Sequence, residues 1–69
     1  MQLFSQYLRD LLQAKGLTVS ALSRLSGIER TALSKTLAGQ RVLPYVALDD
    51  LIYHLCLTPG EERRLRSYY

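Results

Sequence analysis

Along this 69-residue chain the apolar positions recur at helical spacing, and no run alternates in the manner of a strand. Phe4, Tyr7, Leu8 and Leu11 fall at i, i+3, i+4 and i+7 and form one stripe, while Gln6, Arg9, Asp10 and Gln13 face the other way. Lys15 then Gly16 supply a cation at the last turn and a residue able to adopt the left-handed cap. Thr18 reads as the N-cap of a second helix of two turns, with Val19, Leu22, Leu25 and Ser26 inward and Gly27 as its stop. A third helix starts at Glu29 or Arg30, buries Leu33, Thr36 and Leu37, and stops at Gly39. Pro44 opens a fourth, striped by Leu48, Leu51, Ile52 and Leu55. Thr58-Pro59-Gly60-Glu61 has the form of a capping box and starts a fifth that runs beyond Leu65. The pattern predicts an all-α, compact five-helix domain over residues 1–69. Leu22, Ile28, Leu33, Leu51 and Leu55 are expected at its centre, with Phe4, Tyr7 and Leu11 covering them.

Composition narrows the function classes. Apolar residues make up 48% and charged residues 22%, the balance of a folded globule. No apolar run approaches the roughly 18 residues that cross a bilayer, and no signal segment follows Met1, so no membrane partner is expected and the chain reads as cytoplasmic. Cys56 has no second cysteine to pair with and no neighbouring ligand set for zinc. His54 and Cys56, two positions apart on a helix, point about 200° away from each other and cannot act as a nucleophile and its base. Cys56 is expected at the packed edge of the fourth stripe and His54 in solvent. With no Gly-rich phosphate loop and no pair of titratable groups at workable spacing either, the chain reads as a non-enzyme with no cofactor, no metal and no small-molecule ligand evident in this segment.

Charge is more informative in its placement than in its net value of +3. Residues 11–48 carry Lys15, Arg24, Arg30, Lys35 and Arg41 against Glu29 alone, whereas residues 49–69 set Arg63, Arg64 and Arg66 against Asp49, Asp50, Glu61 and Glu62. The cations therefore concentrate around the two short helices joined at Gly27. The second of these carries Thr31, Ser34, Lys35 and Ala38 on its outer face, with Arg30 on its leading edge. Small and hydroxyl side chains allow close approach to a base edge, and Arg30 and Lys35 can reach guanine acceptors or phosphates; a merely solvated helix face would have the same composition.

Leu8-Arg9-Asp10-Leu11-Leu12-Gln13-Ala14-Lys15-Gly16-Leu17-Thr18, Leu22-Ser23-Arg24-Leu25-Ser26-Gly27-Ile28, Leu33-Ser34-Lys35 and Gly39-Gln40-Arg41 resemble, in order and spacing, the XRE family of helix-turn-helix DNA-binding domains, similar to those of phage lambda repressor and Cro. The resemblance covers about residues 4–65. It implies a lambda-repressor-like five-helix domain with a central helix-turn-helix at about residues 18–39 and the third helix in the major groove of double-stranded DNA. Gly27 matches the turn glycine, and Leu22, Ile28 and Leu33 match packing positions. Thr18, Ser20, Glu29, Arg30, Thr31, Ser34, Lys35 and Arg41 form the candidate DNA-binding set, Arg41 toward phosphate. Three positions depart from the pattern: Val19 stands where a Gln is common, Ser23 where an Ala is usual, and Glu29 where a Ser or similar cap is usual.

The function expected is sequence-specific DNA binding by a transcriptional regulator; the alternative is the same fold used as a protein–protein interaction module. Met1, with a helix directly behind it, reads as a natural start. Leu65, Tyr68 and Tyr69 fall at i, i+3 and i+4 and are expected to leave an uncovered aromatic edge. That edge suggests either the N-terminal part of a longer regulator or a small protein that forms a homodimer through this helix.

Overall fold

The computed structural model describes residues 2–69; Met1, expected to be a natural start, lies outside them. Five helices follow one another: α1 (Gln2–Ala14), α2 (Val19–Ser26), α3 (Arg30–Leu37), α4 (Tyr45–Leu55) and α5 (Pro59–Tyr68), with no strand among the described residues. Their starts are chemically specified. The Thr18 hydroxyl accepts from the Ala21 N–H (3.1 Å) and so caps α2. At α5 the Thr58 N–H donates to Glu61 Oε1 (3.0 Å) while the Glu61 N–H donates to Thr58 Oγ1 (3.2 Å), a complete capping box behind Pro59. Pro44 fills the N-cap position of α4.

The helices close on one apolar interior. Phe4, Leu8, Leu11 and Leu12 from α1 meet Leu22, Leu33, Leu37, Leu48, Leu51, Ile52, Leu55 and Leu65 from the other four, with Leu43 contributed by the α3–α4 loop. α1 packs on α3 and α5, and α2 on α3 and α4. The radius of gyration, 10.6 Å, sits at the value of about 11 Å expected for a compact chain of this length, so no helix stands away from the rest.

Five sequence expectations need correction. Leu25 is 51% exposed. On a helical wheel it lies about 90° from the middle of the arc formed by Val19, Leu22 and Ser26, and a helix of two turns buries only a narrow stripe. Ile28, expected at the centre, is half-buried at its edge, because it lies in the turn before α3. Cys56 is exposed rather than packed: it follows the last residue of α4 in the left-handed conformation (φ 52°), which takes it out of the helical register, while His54 is half-buried with its ring edge-on to Tyr53. The aromatic edge of α5 is covered by the chain itself. Leu65 is fully buried, Tyr68 packs edge-on to Tyr7, and Tyr69 packs edge-on to Phe4 and Tyr45.

Candidate nucleic-acid interface

The turn between α2 and α3 determines where α3 points. Gly27 adopts φ 75°, a left-handed conformation that costs an L-residue with a Cβ, and its N–H closes α2 on the Ser23 carbonyl at 2.9 Å. Two serine hydroxyls fix the backbone at Ile28, on the way into α3. Ser23 donates to the Ile28 carbonyl (2.6 Å), and Ser26 donates to the Leu22 carbonyl (2.7 Å) while accepting from the Ile28 N–H (3.3 Å). Ser23, one of the three departures in the sequence pattern, thus supplies a bond that Ala could not. Ile28, in the turn between the two helices, packs half-buried against the core.

α3 is divided cleanly by burial. Leu33, Thr36 and Leu37 face the interior, and the Thr36 hydroxyl is satisfied by the Ala32 carbonyl at 3.0 Å, which lets a polar side chain stand in the core. Thr31, Ser34, Lys35 and Ala38 recur at i, i+3, i+4 and i+7 on the opposite, exposed face. Arg30 leads this face, and its Nη1 donates to Ser20 Oγ on α2 at 3.3 Å, a contact that crosses the turn. Glu29 occupies the N-cap position without a side-chain cap bond, and it too is exposed.

The remaining candidates fall around this face. Thr18 is exposed but its oxygen is engaged as the α2 cap; Ser20 is half-buried and receives Arg30; Val19 is half-buried against the core, so its position serves packing. Arg41 is exposed in the loop after α3, which begins with Gly39 at φ 77° and a Gln40 N–H donated to the Lys35 carbonyl (2.9 Å).

Some cations are engaged by carboxylates within the fold and others are exposed without an ion pair among the described residues, Arg9, Arg63 and Arg64 outside residues 17–48 among them. Among the described residues, the ion pairs involve Lys15 with Glu61 (3.7 Å) and Arg66 with both Asp49 (2.7 Å) and Glu62 (3.0 Å). The hydrogen bonds that Arg66 donates to Asp49 and then to Glu62 raise its pKa further and keep its charge committed inside the molecule. Arg24, Arg30, Lys35 and Arg41 are exposed and make no ion pair among the described residues, with Glu29 the one acidic side chain between Leu17 and Leu48. Residues 17–48 therefore carry a net positive charge that enters no ion pair among the described residues, two of its cations, Arg30 and Lys35, on the α3 face itself.

Two short helices meeting at a left-handed glycine turn, the second of them presenting a free outer face, are the architecture of the helix-turn-helix class. The helix-turn-helix domain family model matches residues 3–65, nearly the full chain, and the chain belongs to that family. Membership in it suggests DNA binding. Neither a curated protein nor a solved structure matches the chain. Among the described residues no helix is long and apolar enough to cross a membrane, and no group of His, Cys, Asp and Glu is arranged to hold a metal ion.

Proposed function

We propose that this chain reads double-stranded DNA sequence-specifically, as the DNA-binding domain of an XRE-type, lambda-repressor-like transcriptional regulator, with α3 lying in the major groove. The observation that carries this reading is the outer face of α3: Thr31, Ser34 and Lys35 are exposed, short or cationic, Arg30 leads the face, and Arg24 on α2 and Arg41 in the following loop are exposed as well, none of the four cations in an ion pair among the described residues. The hydroxyl, amino and Arg30 guanidinium groups of such a face meet base-edge acceptors, and the guanidinium groups of Arg24 and Arg41 meet phosphates. A helix serving to dock another protein would more often present aromatic or large aliphatic anchors, which this face lacks. Glu29, at the leading end, disfavours a phosphate beside it and helps select how far α3 enters the groove. A homodimer would present two such helices to half-sites one helical turn apart. A role on DNA accords with the cytoplasmic location expected from the sequence.

Titration of a labelled duplex at two salt concentrations tests the electrostatic part. Two to four phosphate contacts predict a roughly 10- to 100-fold loss of affinity between about 50 and about 200 mM salt. Selection from a pool of randomised duplexes tests the specific part by recovering a consensus. Affinity indifferent to salt, or a pool that never departs from random, would overturn the reading.

A further inference from the structure

The α3–α4 loop is anchored at both ends, and one anchor comes from the far end of the chain. Its start is tied to α3 by the Gln40 N–H on the Lys35 carbonyl. Its end is tied twice: the Leu43 side chain is 2% exposed in the core, and the Tyr69 hydroxyl donates to the Leu43 carbonyl. Tyr69 is itself wedged edge-on between Phe4 and Tyr45, at ring distances of 5.6 and 5.9 Å. Behind it, Arg66 stacks over the Tyr45 ring (5.6 Å), donates to the Tyr45 hydroxyl (2.9 Å) and bridges to Asp49, so α5 grips the first turn of α4 where the loop enters it. Between the two anchors Arg41 and Val42 stand exposed.

We propose that Tyr69, backed by Arg66, is a positioning residue for DNA binding: it holds the α3–α4 loop so that Arg41 presents its guanidinium to a phosphate beside the groove that α3 enters. The inference rests on the DNA-binding reading above and assigns to α5 a part in it. Without the hydroxyl bond, the Leu43 end of the span keeps only its side-chain anchor, and Arg41 samples more positions before any contact; ordering it on DNA then costs entropy that the clamp has already offset.

The test compares salt slopes for four proteins, each held at a temperature where circular dichroism shows it fully folded. They are the parent chain, Tyr69→Phe, Arg41→Ala and the double variant. Tyr69→Phe keeps the ring contacts and deletes only the donor. We expect Arg41→Ala to reduce the log–log slope by about one unit, Tyr69→Phe to move it in the same direction with a several-fold loss of affinity at low salt, and Tyr69→Phe to add nothing once Arg41 is absent. Tyr68→Phe controls for general loosening of α5: its hydroxyl accepts from Arg64 on the α1 side, away from the loop, and the slope should stay at the parental value. Salt-dependent binding by the parent with a reduced slope for Arg41→Ala, but no change for Tyr69→Phe, would overturn the clamp and leave the DNA reading standing. An equal effect of Tyr69→Phe with and without Arg41, or of Tyr68→Phe, would also overturn it. A parent that shows no salt-dependent binding would instead remove the DNA reading, and the clamp with it.

Discussion

Lys35 and Arg30 share the exposed face of α3 but differ in how they are held: Arg30 is braced on Ser20, whereas Lys35 extends from the last turn without a side-chain partner among the described residues. If both reach base edges, Lys35→Ala and Arg30→Ala each cost about 1–3 kcal/mol on the preferred site and relax discrimination there, with little change on random duplex. Fluorescence titrations on the selected and scrambled duplexes check this, and equal losses on both would assign the side chains to phosphate instead. Gly27 and Ser23 act differently, through the fold. At φ 75° Gly27 has open space around it, so Gly27→Ala meets no clash and its cost is the backbone strain, about 1 kcal/mol. Ser23→Ala leaves the half-buried Ile28 carbonyl without its donor and costs about 1–2 kcal/mol. Denaturant melts read both, and a midpoint unchanged in either variant would show that the turn tolerates the loss.

At the scale of elements, the entry to α5 carries a pH dependence of definite sign. The Thr58 N–H, donating to the Glu61 carboxylate, is the largest influence holding its pKa below the usual carboxylate value, with Lys15 adding to it. A carboxylate whose pKa is lower folded than unfolded stabilises the fold fully above its unfolded pKa, and that contribution is lost as pH falls through the folded one. The melting midpoint should therefore drop as pH falls below about 4.3, and Glu61→Gln, which keeps an acceptor at the cap but does not titrate, should flatten that part of the profile. An identical profile in the variant would mean that Glu61 does not account for the acid limb. α2 and α3 are eight residues each, too short to persist alone, so the helix-turn-helix pair depends on the layer formed by α1 and α4 beneath it.

For the whole molecule, Leu33 marks where that dependence is concentrated: it is fully buried on α3, the helix that packs against both α1 and α2. Leu33→Ala should cost about 2–5 kcal/mol, a large share of the stability of a 69-residue domain, and lower the thermal midpoint and DNA affinity together. A thermal melt overlaying that of the parent would mean that the buried face of α3 does not support the fold. The helix count, the caps at Thr18 and Thr58, the stops at Gly27 and Gly39 and the exposed face of α3 were legible in the sequence, because each rests on neighbours three or four residues apart along one helix. Leu25, Cys56 and the α5 aromatics were misread from the same rules. Whether an apolar side chain at the edge of a stripe is covered depends on which other helix lies over it, and the wheel holds no record of that. Tertiary structure alone decided that Tyr68 and Tyr69 close on α1 and α4, that Arg66 spends its charge on Asp49 and Glu62 while Arg24, Arg30, Lys35 and Arg41 enter no ion pair among the described residues, and that Tyr69 meets the Leu43 carbonyl 26 residues away. Local spacing determines which side of a helix is apolar; only the packing of distant segments determines which charges are left free to meet a partner.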